Sequence, residues 1–218
     1  MNNTAAPHPP LAATILAAGL GQRLGGRPKA TLQIDGRSVL ERVVAALRGA
    51  GIPAVSVVMG PYRDQLLPLA ARCGAHAVEH RLPNPSLIDS QRLALQAHGD
   101  GFPGHDLLLV LADLPLLGAD DVSPLLSAWR QRAPGVHALM PVVDGVRGHP
   151  LLLSSHAVAQ VAATAPQLGI RDWLQRHPEA VQPVPSARRA CVTDVDTPDD
   201  LSALQALVHP MVVAWPTR

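Results

Sequence analysis

Three short stretches of this 218-residue chain combine residue types that could handle phosphate and a divalent cation. The first runs Leu16-Ala17-Ala18-Gly19-Leu20-Gly21-Gln22-Arg23-Leu24-Gly25-Gly26-Arg27-Pro28-Lys29. Small residues let a backbone pass close to a ligand, and successive N–H groups in such a turn form a nest for an anion. Arg23 and Lys29 add two positive charges over the same loop. Two familiar phosphate loops fail on local detail. Lys29 follows Pro28 and precedes Ala30, so the hydroxyl that holds magnesium in GxxxxGK[ST] is missing. Gly19, Gly21 and Gly25 are spaced GxGxxxG rather than GxGxxG, and Gly25-Gly26 ahead of Pro28 would interrupt a helix. A flexible glycine-rich connection is the plain alternative.

The second stretch, Val110-Leu111-Ala112-Asp113-Leu114-Pro115, puts a carboxylate just after an apolar run. At the carboxyl end of a buried strand it is well placed for Mg²⁺, which takes one or two carboxylates, substrate phosphates and water. The third is Thr193-Asp194-Val195-Asp196-Thr197-Pro198-Asp199-Asp200-Leu201. If Asp194–Asp196 is extended, its two carboxylates share one face. Capping of the next turn or helix would explain Asp113 and the Thr197–Asp200 group equally well.

Composition adds a hint about Lys29. Of the 18 basic residues one is lysine and the other 17 are arginine, a bias typical of a GC-rich genome. A lone lysine in such a chain marks a place for a compact ammonium, unless chance left it there.

These residues need a scaffold. Ala12–Ala17, Ala54–Met59, Ala75–Glu79 and Leu107–Ala112 read as buried strands without polar alternation, and Ala138–Val143 and Leu151–Leu153 as two more. Val39–Arg48, Tyr62–Cys73, Ile88–His98 and Asp120–Arg132 carry apolar residues at helical spacing. Further helices are expected at Ser155–Ala163, Ile170–Arg176 and Pro198–Leu207, the last capped by Thr197. Strand–helix alternation implies an α/β fold, a mainly parallel sheet with helices on both faces, in which ligands bind outside the carboxyl ends of the strands. One domain is expected over residues 11–208, with a loose N-terminal segment 1–10 and a loosely held C-terminal tail 209–218.

Composition also excludes. With 18 basic and 17 acidic residues, the chain lacks the charge for a nucleic-acid footprint, and 2% aromatics argues against base-stacking platforms. No apolar run approaches the ~18 residues that span a bilayer, and Met1–Pro10 does not resemble a signal peptide. Cys73 and Cys191 stand far apart outside any CxxC or Cys/His cluster, which fits a reducing cytoplasm.

The glycine loop matches the pattern LAAGxGxRxGxxK, which resembles the nucleotidyltransferases related to molybdenum cofactor biosynthesis, within the wider sugar-phosphate nucleotidyltransferases. Leu32–Leu40 is similar to that family's next segment, Ala112–Pro115 to its "aDmP", and Asp194–Leu201 to its "DiDTPeDL". The resemblance runs from about Ile15 to Leu207 through four motifs in order. It implies a three-layer, nucleotide-diphospho-sugar transferase-like fold. The loop (Leu16, Ala17, Ala18, Gly19 and Gly21) would wrap the nucleotide, Arg23 and Lys29 would contact its phosphates, and Asp113 and Asp196 would hold Mg²⁺, with Asp194 a further candidate. Lys29, Arg23 and Asp113 would be the catalytic residues. Ser90 falls in a segment loosely similar to the nucleotide-side "SSL". Gly145–Pro150 resembles the "GkrGHPvl" of the cytidylyltransferase branch, so His149 would contact the acceptor or hold its loop. Arg171 stands where the family's "GdrGaR" arginine would bind acceptor phosphate, although Gln167-Leu168 replace part of that motif.

The activity so implied is transfer of CMP from CTP to the phosphorylated pterin of the molybdenum cofactor. The product would pass to a molybdenum hydroxylase or its insertion chaperone, with no nucleic acid or membrane partner. Alternatives are guanylyl transfer to the same cofactor, CMP or UMP transfer to another small phosphate, and a non-catalytic cofactor-binding accessory protein. Ala18, where the guanylyl branch has glycine, and Gly148-His149-Pro150 favour CTP; retained Lys29, Asp113 and Asp196 favour catalysis.

Overall fold

The computed structural model describes residues 9–216. In chain order it runs β1 (Leu11–Ala17), β2 (Gln33–Ile34), β3 (Arg37–Ser38), α1 (Val39–Gly49), β4 (Val55–Met59), α2 (Arg63–Arg72), β5 (His76–Glu79), α3 (Leu87–Gly101), β6 (Asp106–Leu111) and α4 (Ala119–Arg130). There follow β7 (Ala138–Val143), β8 (Val146–Arg147), β9 (Leu151–Leu153), α5 (Ser155–Ala162), α6 (Ile170–Arg176), β10 (Val181–Pro185), α7 (Pro198–Val208) and β11 (Val213–Ala214). The main sheet has the order β10-β7-β9-β6-β1-β4-β5, with β8 paired to β7. Strands β6, β1, β4 and β5 are parallel, as are β10 and β7, whereas β9 runs antiparallel between β6 and β7.

The apolar runs are continuous because the central strands are covered twice. In β6, Leu108 and Val110 face one core with α1, α2, α4 and α7, while Leu107 and Leu109 face a second core with α3, α5 and α6. In β1, Ile15 and Leu16 divide in the same way. Alternate side chains of a strand point to opposite faces, so each strand feeds both cores and the result is three layers.

Five strands escape the apolar-run reading. β10 (VQPVP) carries two prolines and is half exposed, as suits the outermost strand of the sheet. β2 and β3 form a hairpin through Asp35 and Gly36, both at positive φ, and β7 and β8 do so through Asp144 and Gly145. Asp-Gly between short strands is the local signal for such turns. The C-terminal segment expected to hang loose is corrected for its described part. β11 pairs antiparallel with β2, and the Val212 amide donates to Asp35 Oδ1 at 2.7 Å. Of the loose N-terminal segment 1–10, residues 1–8 lie outside those described.

Among the described residues no helix is long and apolar enough to cross a membrane.

Candidate active site

A cavity of about 290 Å³ opens at the carboxyl ends of β1 and β6. Leu16 and Ala17 line it from β1, Ala18 and Gly19 from the turn after it, Asp113 from beyond β6, Asp194 and Asp196 from the loop before α7, and Pro85, Ser86, Leu87 and Ser90 from the start of α3. Lys29 lines it too, and also lines an adjoining hollow with Gly19, Gly21, Arg23, Pro85 and Asp196. The two spaces together gather Leu16, Ala17, Ala18, Gly19, Gly21, Arg23 and Lys29 of the glycine loop.

Local constraints shape that loop. Gly21 sits at φ +58°, and a Cβ there would lie 1.9 Å from the Arg27 carbonyl oxygen, so only glycine fits. The Tyr62 hydroxyl lies 2.9 Å from the Leu20 carbonyl and 2.7 Å from that of Gly26, sharing its one hydrogen between the two arms of the loop. Trp215, just beyond β11, lies beneath the Arg27 guanidinium, 5.5 Å from ring centroid to charge. Sequence reading passes over both residues. The available signal for Tyr62 is that it is the sole tyrosine of the chain.

The charges converge on Lys29. A single 3-10 turn, Lys29–Thr31, fixes its backbone, with the Thr31 hydroxyl donating to the Pro28 carbonyl at 2.9 Å. Its ammonium donates to Asp113 Oδ2 at 3.1 Å and to Asp196 Oδ1. Burial alone would lower the Lys29 pKa, but attraction to Asp113 and Asp196 outweighs it and the net shift is upward. Val195 turns into the core, so Asp194 and Asp196 on either side of it point the other way, as the extended reading requires. One carboxylate oxygen from each of Asp113, Asp194 and Asp196 lies within 4.8 Å of the others. Burial, with Asp113 and Asp196 adding repulsion, pushes the Asp194 pKa up. Asp113 Oδ1 is buried and has no hydrogen-bond partner.

Three carboxylates against one ammonium leave a surplus of negative charge, and every donor is oxygen. That set, with an orphaned buried oxygen among it, fits a hard divalent cation such as Mg²⁺. Capping accounts for a neighbour instead. Asp200 accepts from the Asp196 and Thr197 amides and the Thr197 hydroxyl, which cap α7, and the Thr197 bond lowers its pKa.

The sequence pattern of the MobA-like NTP transferase domain matches residues 13–182, well over half of the chain. The chain belongs to that family. MobA-like NTP transferases are nucleotidyltransferases, and this one has the three-layer fold shared by its structural neighbours. It is similar to 2-C-methyl-D-erythritol 4-phosphate cytidylyltransferase of Streptomyces avermitilis, 31% identical over 78% of this chain and 74% of that one. It is also similar to nicotine blue oxidoreductase of Paenarthrobacter nicotinovorans, 28% identical over 90% of this chain and 97% of that one. Among solved structures, Rv0371C of Mycobacterium tuberculosis, in complex with manganese, superposes with a TM-score of 0.72 at 20% identity, over 92% of this chain and all of that one. The chain spans only about a quarter of the bifunctional GlmU proteins that it also matches.

Three candidates stand apart from the MobA-like cluster. Ser90 lines the cavity, but it is buried and its hydroxyl donates to the Ser86 carbonyl at 3.0 Å. His149 lines neither space. Its Nδ1 lies 3.4 Å from the Leu109 carbonyl, and burial lowers its pKa against the pull of that carbonyl and of Asp113. Its amide donates to the Cys191 carbonyl at 2.9 Å, and a Cβ on Gly148 would sit 2.5 Å from that same oxygen. This close packing ties the Gly148–His149 backbone to the segment that leads to Asp194. Arg171 is exposed on α6 and borders neither space.

Proposed function

We propose that this MobA-like protein transfers CMP from CTP to the phosphate of an acceptor, and that the acceptor is the pterin of the molybdenum cofactor. The observation that carries the reading is the juxtaposition of Lys29 with Asp113, Asp194 and Asp196 beneath the glycine loop. Family membership leaves the nucleotide and the acceptor open, since the relatives aligned along most of both chains include a sugar-phosphate cytidylyltransferase and a protein named an oxidoreductase. A carboxylate cluster facing an anion-binding loop suits phosphoryl chemistry specifically. The small, largely aliphatic wall at Leu16, Ala17 and Ala18 suits a pyrimidine better than a purine.

In the reaction an acceptor phosphate oxygen attacks the α-phosphorus in line, a new P–O bond forms, and the bond to the β-phosphate oxygen breaks to release pyrophosphate. Asp113 and Asp196 would hold Mg²⁺, with Asp194 as a third ligand. When bound, the cation supplies Lewis-acid polarisation of the phosphate and neutralises its charge. Gly19 and Gly21 let the backbone approach the phosphates. Arg23 and Lys29 offset the charge that builds on the departing pyrophosphate, so catalysis is positioning plus electrostatics and needs no protein nucleophile. The product would be handed in the cytoplasm to a molybdenum hydroxylase or its insertion chaperone.

The test is pyrophosphate release with CTP, GTP, UTP and ATP, each against a molybdopterin-type acceptor and against 2-C-methyl-D-erythritol 4-phosphate. The expected result is turnover with the pterin, CTP exceeding GTP by tenfold or more in kcat/KM, or ~1.4 kcal/mol. Equal rates with CTP and GTP would remove the cytidylyl assignment. Turnover only with the sugar phosphate would move the acceptor, and none with any pair would favour an accessory protein.

A further inference from the structure

Lys29 is read from its motif as a phosphate contact, yet its ammonium lies on the two carboxylates assigned to the metal, Asp113 and Asp196. One ammonium with three donors binds one oxygen of each, Oδ2 of Asp113 and Oδ1 of Asp196, and a cation held by the same two carboxylates would sit close beside it. Two positive charges on one pair of carboxylates repel, so ammonium and metal compete. The lysine also has somewhere else to go. Its backbone is pinned in a turn whose next two residues, Ala30 and Thr31, are buried, while its side chain borders both the carboxylate cavity and the adjoining hollow under Gly21 and Arg23. The same residue thus borders both the carboxylates and the loop assigned to the phosphates.

We propose that Lys29 is a resident counter-ion of the metal site, released when nucleotide phosphates attract its ammonium, so that the cation enters with the nucleotide and not before it. The inference deepens the nucleotidyltransfer reading and rests on it. It makes metal and nucleotide strongly and reciprocally coupled, with Lys29 the element through which the coupling runs. It also accounts for lysine at this position. A slender, flexible ammonium can leave the carboxylates, whereas a planar guanidinium forked on a carboxylate would hold them.

Mn²⁺ binding followed by its paramagnetic resonance spectrum tests this without turnover, using wild type, Lys29→Met and Arg23→Gln, each with and without an α,β-methylene analogue of CTP. Wild type is expected to bind Mn²⁺ weakly alone and at least ~10²-fold more tightly with the analogue. Lys29→Met should bind Mn²⁺ alone at least tenfold more tightly than wild type and gain at least tenfold less from the analogue. Arg23→Gln, which removes an equal charge from the rim, should shift Mn²⁺ binding alone by less than threefold. Equal or weaker Mn²⁺ binding by Lys29→Met, or equal gains in both variants, would overturn the proposal. A second measurement needs no variant: wild type labelled with [ζ-¹⁵N]lysine has one side-chain amine to report. Its resonance should stay in place at Mg²⁺ concentrations that shift it fully once the analogue is added, and displacement by Mg²⁺ equally well without the analogue would refute the idea. No Mn²⁺ binding by any of the proteins even with the analogue would instead bring down the metal-dependent reading of the site beneath it.

Discussion

Strand β6 has an aspartate at its first position and another just beyond its last, and the two live in opposite surroundings. Asp106, 1% exposed, has both oxygens occupied: Oδ2 accepts from Trp129 Nε1 at 3.0 Å and from Arg132 at 3.1 Å, and Oδ1 from the Ser155 amide at 2.9 Å. The Arg132 guanidinium lies 3.7 Å over the Trp129 ring, so the charge is compensated and the cation itself is packed. Asp113 has a buried oxygen with no partner, shares Lys29 with Asp196, and faces a third carboxylate in Asp194. A buried carboxylate with both oxygens engaged ties β6, α4 and α5 together. One left short of partners costs stability and is held in place by the fold around it, which is the signature of a ligand site.

Exchanging the two roles by mutation gives the sharpest contrast. Asp113→Asn is expected to reduce turnover by ~10³-fold, the scale of one lost preorganised electrostatic contact, while the melting temperature holds or rises as repulsion among the carboxylates eases. A falling melting temperature with normal turnover would assign Asp113 to the scaffold and erase the difference between the strand's ends. Asp106→Ala should do the reverse. Leaving the half-buried Arg132 without its anion is expected to cost ~3 kcal/mol, a drop on the order of 10 °C in melting temperature, with kcat per folded molecule unchanged. Chemical denaturation beside active-site-normalised kinetics separates the two effects.

A smaller effect is expected at Tyr62, which sits with the catalytic end but contributes order and no chemistry. Tyr62→Phe removes the hydrogen shared by the Leu20 and Gly26 carbonyls, worth ~1 kcal/mol, and should raise KM for the nucleotide about fivefold with little change in kcat. A fall in kcat at constant KM would place Tyr62 among the reacting groups and blur the line between positioning and catalysis.

Most of the framework is legible locally. Buried apolar runs, helical spacing and the Thr197 cap are properties of short segments, and the structure differs from them by at most three residues at an end. What fails is whatever depends on a neighbour. β10 looks unlike a strand because its prolines are tolerated only at an edge, and β11 is a strand only because β2 lies beside it. Equally, His149 and Arg171 could be named from motifs, but a motif carries no information about which way a ring or guanidinium will face.

The sequence by itself determined the chemistry on offer: a small-residue loop for phosphate, one lysine, and carboxylates just past apolar runs, because residue type and local spacing dictate charge, reach and strand ends. Only the tertiary structure decided that Lys29 meets Asp113 and Asp196, 84 and 167 positions further along the chain, and that one oxygen of Asp113 is left without a partner. The parallel order of β6 and β1 puts their carboxyl ends side by side, and the closing segment before α7 returns to the same rim. Charge clusters of this kind arise from how distant ends are brought together and from how many partners the surrounding fold supplies, and neither quantity is a property of any short stretch of residues.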